Sequence, residues 1–154
     1  MKSILVLGAG LSASSLIRYF LETSEENNWQ VRIVDQDFDL VKQKIGGHKN
    51  GVALSFNATS AEERRPEIEK ADIVVSMLPA RFHIEVAQDC IALKTNLITP
   101  SYISPEMKAL DAEAKEAGII IMNEIGVDPG LDHMSAMKII NGIQDKKGKL
   151  TSFE

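Results

Sequence analysis

Two hydrophobic textures alternate along this chain. Short apolar runs of strand length, such as Ile4-Leu5-Val6-Leu7 and Ile73-Val74-Val75, are separated by longer stretches whose apolar residues recur at helical spacing. The runs predict strands near 3–8, 30–35, 51–56, 73–77, 96–99 and 119–122. The amphipathic stretches predict helices near 11–24, 38–45, 60–69, 82–93, 104–117 and 131–145. Asp72 before one run and Gly118 after one helix punctuate the pattern, and Ser104 followed by Pro105 reads as a helix cap with proline in the first turn. Strand and helix alternating in this way imply an α/β fold, a doubly wound parallel sheet with helices on both faces. The expected strand order is 3-2-1-4-5-6, with a ligand crevice between the first and fourth strands.

The first strand-to-helix junction carries the most informative chemistry. Gly8-Ala9-Gly10-Leu11-Ser12-Ala13 follows the strand directly, and 25 residues after Gly10 a second apolar run ends in Asp35. In a dinucleotide site the first glycine permits the tight turn, and the second lets backbone N–H groups approach a pyrophosphate. A small third residue, here Ala13, keeps helix and sheet close. The phosphates then sit on a helix N-terminus, where unpaired N–H groups and the helix dipole favour negative charge. A lone glycine triplet is weak evidence; one placed between a strand and a helix, with an acid at the tip of the next strand, is not.

Composition narrows the class. At 154 residues the chain is about one domain long, and a net charge of −5 with no basic cluster argues against a nucleic-acid surface. Lys146-Lys147-Gly148-Lys149 reads as a solvated helix end, and Arg64-Arg65-Pro66 as an exposed helix feature. The single cysteine, Cys90, falls on an apolar helix face and reads as a small buried hydrophobe. No metal-ligand spacing of histidines and no Gly-x-Ser-x-Gly elbow is present, so no metal site is expected. With no secretory signal before the first strand and no long apolar stretch, a cytoplasmic protein without membrane contact is expected.

Residues at the strand ends should face the crevice. Ser76-Met77-Leu78-Pro79 ends the fourth strand, and Thr99-Pro100-Ser101-Tyr102 ends the fifth in two hydroxyls and a phenol. The sixth strand runs into Asn123-Glu124-Ile125-Gly126-Val127-Asp128-Pro129-Gly130-Leu131-Asp132-His133-Met134, dense in glycine, carboxylate and histidine. Asp128 or Asp132 is expected to cap the last helix. His48 reads as an inert loop residue. His83 stands beside the crevice, with a packing role as plausible as ligand contact, and His133, one step inside the last helix, reads as structural or solvent-facing ahead of ligand contact.

Taken together, Ser76-Met77-Leu78-Pro79, Ser101-Tyr102-Ile103-Ser104-Pro105-Glu106-Met107, Leu110-Asp111, Ala114-Lys115-Glu116-Ala117-Gly118 and the block from Met122 to His133 resemble saccharopine dehydrogenases of the glutamate-forming type. The resemblance runs from the first strand to about residue 145 and is densest after Ala71. It implies a lysine-pathway oxidoreductase that interconverts saccharopine with glutamate and 2-aminoadipate 6-semialdehyde. Hydride passes between the cofactor and the lysine-derived carbon beside the secondary amine, and water hydrolyses the imine. It further implies that Ser101, Tyr102 and Asp128 contact saccharopine, with Tyr102 and Asp128 moving or orienting protons. Gly8, Gly10, Leu11, Ser12, Asp35, Ser76, Leu78, Val127 and Pro129 are implied to contact the cofactor.

Such enzymes carry a second domain that grips the substrate. Residues 1–145 are therefore expected to form the nucleotide domain and 146–154 to begin a strand leading into the other, through which a homodimer could form. Asp35, followed by Gln36, Asp37, Phe38 and Asp39 with no arginine, favours NAD, with NADP the alternative. Two further functions share the framework. One is a carboxy-polyamine dehydrogenase acting on comparable imines. The other is a non-catalytic nucleotide-sensing domain, which has no use for the Asp128-Pro129-Gly130 block.

Overall fold

A computed structural model describes residues 1–153. Six strands, β1 (Lys2–Leu7), β2 (Trp29–Val34), β3 (Gly51–Leu54), β4 (Ile73–Ser76), β5 (Asn96–Ile98) and β6 (Ile121–Met122), form one sheet in the order β3-β2-β1-β4-β5-β6. Every adjacent pair is parallel, as the alternation of textures requires. The helices are α1 (Ser14–Thr23), α2 (Phe38–Ile45), α3 (Ala61–Ile68), α4 (His83–Ala92), α5 (Pro105–Ala109), α6 (Asp111–Ala117) and α7 (Leu131–Asp145). Two of them, α2 and α7, span the expected residues, and strand bounds agree to within two residues at either end.

The continuous apolar run of β1 serves both faces of the sheet at once. Ile4 and Val6 pack with Val31, Ile33, Ile17 and Val41 under α1 and α2. Leu5 and Leu7 pack with Val74, Leu97, Ile68 and Val86 on the opposite face, under α3 and α4. Alternate side chains of a strand point to opposite faces, so burial on both faces demands an unbroken apolar run. Cys90 belongs to the second cluster, and burial, with the Asp89 charge beside it, pushes its thiol up to about 12. It is an inert core residue, as expected.

Four sequence expectations are corrected. The helix expected over 104–117 is two helices. Leu110 closes α5 with an N–H bond to Met107 O three residues back (3.1 Å) and buries its side chain, and α6 begins at the next residue. The Ser104 cap holds, its hydroxyl accepting Met107 N–H at 3.1 Å. The helix expected from residue 11 opens as a 3-10 turn, Leu11–Ala13, before α1. Residues 149–153 form no strand: the sheet ends at β3 and β6, and no neighbour supplies the hydrogen bonds a strand there would need. Glu154 lies outside the described residues. Arg64, expected to be exposed, is only 2% exposed, with Nε 2.6 Å from Asp89 Oδ2 on α4. Among the described residues, no helix is long and apolar enough to cross a membrane.

Candidate functional site

The carboxyl ends of β1, β2, β4, β5 and β6 converge on a crevice built around the glycine turn. Gly8 has φ +99°, and a Cβ there would stand 3.1 Å from Met77 O at the end of β4. Both facts require glycine. Gly10, by contrast, has open space where a Cβ would project, the clearance that a backbone-bound phosphate needs. Ala13 is fully buried in the helix–sheet contact, and Leu11 and Ser12 are exposed at the mouth of the crevice. The turn thus has the clearances that a pyrophosphate demands.

Asp35 sits one residue past β2. Its Oδ2 accepts the Ala9 N–H at 2.8 Å and its Oδ1 the Asp37 N–H at 3.2 Å, so the carboxylate braces the glycine turn as well as marking the strand tip. It lines a cleft of about 160 Å³ with Gly8, Gln36, Asn57, Thr59 and Leu78, and that lining contains no Lys or Arg. A nucleoside ribose fits such a wall; a 2′-phosphate would meet uncompensated negative charge there.

A larger cleft of about 700 Å³ lies across the crevice, with Ser12, Met77, Pro100, Val127 and Asp128 in its lining. Its far wall is the loop after β6, folded tightly on itself. Gly126 N–H donates to Pro129 O (2.9 Å) and Leu131 N–H to Gly126 O (3.0 Å). Gly130, at φ +148°, lies so close to Gly126 that a Cβ would stand 2.1 Å from its carbonyl oxygen. The Asp128–Pro129 peptide is cis. The loop is also stitched to the end of β5: Glu124 N–H reaches Ser101 O (3.0 Å), and Glu124 Oε1 accepts Ile103 N–H (3.1 Å).

This stitching brings Tyr102 and Asp128 together. The Tyr102 hydroxyl donates to Asp128 Oδ1 at 2.5 Å, and His133 stacks edge-on to the phenol at 6.4 Å between ring centres. Donation to Asp128, with Asp132 and Glu124 adding negative charge, raises the phenol to about 12. Tyr102 therefore stays protonated at neutral pH and serves as a donor. Neither Asp128 nor Asp132 caps α7 as expected: Gly130 holds the cap position with no side-chain bond, and Asp132, inside the first turn, accepts the Gly130 N–H on Oδ1 at 3.0 Å and contacts His133 Nδ1 at 2.8 Å. Asp128, Asp132 and His133, all exposed, bring one ligand atom each within 4.8 Å of one another, a grouping that no histidine spacing signalled.

The expected cofactor contacts divide into two groups. Gly8, Gly10, Leu11, Ser12, Asp35, Leu78 and Val127 border the crevice or its two clefts. Pro129 is buried inside its own loop, where its carbonyl holds Gly126 N–H. Ser76 is fully buried, and its hydroxyl is turned to His83 Nδ1 at 3.0 Å. His83 Nε2 in turn meets Ser101 Oγ at 2.9 Å. The sequence left His83 undecided because nothing local shows that a residue at the start of α4 joins two strand ends.

Fold and crevice together define a Rossmann-type dinucleotide-binding domain. The family described as the saccharopine dehydrogenase NADP binding domain matches residues 4–122, and this chain belongs to it. The saccharopine dehydrogenase [NADP(+), L-glutamate-forming] of Pyricularia oryzae is 34% identical over 152 residues, 99% of this chain and 33% of that protein. The alpha-aminoadipic semialdehyde synthase of Arabidopsis thaliana is 34% identical over 167 residues, 97% of this chain and 16% of its own length. Among solved structures, apo saccharopine dehydrogenase (L-Glu forming) from Saccharomyces cerevisiae superposes with a TM-score of 0.86 at 32% identity, over 99% of this chain and 33% of that one. The chain thus spans a third or less of the length of these relatives.

Proposed function

We propose that this chain is the nucleotide-binding part of a saccharopine dehydrogenase of lysine metabolism, interconverting saccharopine with glutamate and 2-aminoadipate 6-semialdehyde. The observation that carries the reading is the Tyr102–Asp128 pair, held at the crevice by a loop that a nucleotide-binding turn alone would not require. A nicotinamide cofactor, when bound, accepts or returns the hydride. In the oxidative direction that hydride leaves the lysine-derived carbon, the secondary amine loses a proton, and water adds to the resulting imine. The Gly8–Ala13 turn and Asp35 hold the nucleotide, and Tyr102 and Asp128 orient the reacting amine by a donor and a carboxylate. A non-catalytic nucleotide sensor has no need of that pair, and a carboxy-polyamine dehydrogenase would show its preference in the substrate.

A steady-state assay of the natural full-length protein tests the reading. Saccharopine with NAD or NADP is expected to yield reduced cofactor and glutamate in equal amounts. No turnover of saccharopine, with turnover of a carboxy-polyamine imine instead, would give the second enzyme the site.

The 154-residue chain alone is expected to bind nucleotide without oxidising saccharopine. The nucleotide-side features lie within residues 1–130. The substrate's three carboxylates, however, find few cations at the crevice, and Arg81 is exposed and stacked 4.6 Å from the Phe82 ring. Unpaired charges in a desolvated site cost several kcal/mol. Saccharopine-dependent reduction of cofactor by this chain would show that the substrate site is complete within it.

The choice of cofactor departs from the family description and from the name of the Pyricularia oryzae relative, both of which specify NADP. We expect NAD to bind at least about tenfold more tightly, a difference of about 1.4 kcal/mol. Asp35 faces the ribose cleft, Asp37 and Asp39 follow it, and no cation lines the wall. Paired titrations measure the ratio, and Asp35→Ser should erase most of it. NADP binding as tight as NAD in the unaltered protein would refute the assignment.

A further inference from the structure

Ser76, His83 and Ser101 form a chain of hydrogen bonds across the crevice, and its proton inventory can be counted. Ser76 Oγ lies 3.0 Å from His83 Nδ1, and His83 Nε2 lies 2.9 Å from Ser101 Oγ. Ser76 is fully buried and His83 is 3% exposed. Burial holds the imidazole below its ordinary pKa, so it is neutral at pH 7 and carries one N–H. Among the described residues, Ser76 Oγ has no hydrogen-bond partner other than His83.

Two tautomers are possible, and they are not equivalent. With the proton on Nδ1, the imidazole donates to Ser76, whose own buried O–H then has nowhere to go. A buried donor without an acceptor forfeits its hydration with nothing in return. With the proton on Nε2, Ser76 O–H donates to Nδ1, and Nε2–H donates to Ser101 Oγ. Every buried group is then satisfied, and the Ser101 hydroxyl proton remains unused. Ser101 is half-buried, and its main chain is held by Thr99 Oγ1, which accepts Ser101 N–H at 3.1 Å, and by Glu124 N–H on its carbonyl (3.0 Å). The one freedom left to Ser101 is where its O–H points.

We propose that His83 is a positioning residue that, through the Ser76–His83–Ser101 chain, fixes Ser101 as a hydrogen-bond donor to a carboxylate oxygen of the substrate. The inference rests on the saccharopine reading for the identity of that carboxylate; the proton arrangement stands without it. The end of β4 thereby sets the polarity of a group at the end of β5.

The test has two arms. Long-range 1H–15N correlation on the 154-residue chain assigns the His83 proton directly, and it is expected on Nε2; a proton on Nδ1 overturns the proposal. The second arm is saccharopine kinetics in the natural full-length protein. His83→Asn keeps an acceptor near Ser76 but falls short of Ser101, whereas His83→Gln carries an amide to the position of Nε2. His83→Asn is expected to raise KM for saccharopine about fivefold, the equivalent of one ordinary hydrogen bond, with a smaller change in kcat and unchanged nucleotide affinity. His83→Gln should recover most of the loss, and His83→Asn should add nothing in a Ser101→Ala background. Parent-like KM in His83→Asn with a defect in His83→Gln would leave His83 as a partner for Ser76 only, and the proposal falls. Absence of saccharopine turnover in the parent sinks the functional reading, while the nitrogen assignment still decides the proton arrangement.

Discussion

Replacing Asp128 by Asn in the natural full-length protein is expected to lower kcat/KM for saccharopine at least tenfold, equivalent to about 1.4 kcal/mol, while melting temperature and NAD affinity stay near the parent's. The geometry separates the two roles that the residue type allows. A capping Asp accepts main-chain N–H groups of the first helical turn, and at α7 Gly130 holds the cap position with no side-chain bond from Asp128. The hydrogen bond Asp128 makes is with the Tyr102 hydroxyl, at the edge of the larger cleft. Asn preserves the shape and can still accept from the phenol, so the substitution removes the charge and little else. An exposed residue outside the core contributes little to folding. Parent-like turnover in a well-folded Asn variant would confine Asp128 to shaping the loop.

Asp89→Ala is expected to destabilise the domain by about 3 kcal/mol, lowering Tm by about 6–12 °C. Arg64, 2% exposed, places Nε 2.6 Å from Asp89 Oδ2, and Arg65 Nε reaches Asp89 Oδ1 at 3.1 Å. The Arg64 guanidinium also donates from Nη1 to Thr59 O at 2.9 Å, tying the loop after β3 to α3 and α4. Removal of the carboxylate leaves the buried cation with only the exposed Glu85 carboxylate, 3.7 Å away, as counter-charge, close to the costly half of a broken ion pair. Urea or thermal unfolding measures the loss. The double replacement Arg64→Met/Asp89→Leu should recover most of it, because an apolar pair carries no uncompensated charge. A change within about 0.5 kcal/mol for Asp89→Ala would show that water reaches Arg64 and compensates it.

What could be read from the sequence follows from how local each cause is. β1 and β4 were legible because burial on both faces demands unbroken apolar runs, and the Gly8 turn because positive φ and a close neighbour admit only glycine. Parallel pairing followed from the alternation, since parallel neighbours need crossover helices, and the strand order from the doubly wound dinucleotide-binding pattern. The Asp128 loop stood out through its density of glycine and carboxylate. Causes that act across the fold were not legible. Arg64 looks like a surface residue until α4 brings Asp89 to it, 25 positions along the chain. The break at Leu110 is a one-residue change in hydrogen bonding within a helical pattern. His83 acquires a role only when β4 and β5 stand side by side, so that one imidazole spans Ser76 and Ser101. Residues 149–153 illustrate the same reason in reverse: they suit a strand but form none, because a strand exists only beside a partner.

Titration of NAD into the isotope-labelled 154-residue chain, followed by 1H–15N shifts, tests most directly whether the crevice at the strand ends is the dinucleotide site. Saturable one-to-one binding is predicted, with the largest shifts at Gly8, Gly10, Ser12, Asp35, Leu78 and Val127. Absence of binding, or shifts centred on the separate hollow of about 520 Å³ between α5, α6 and β6, would contradict it.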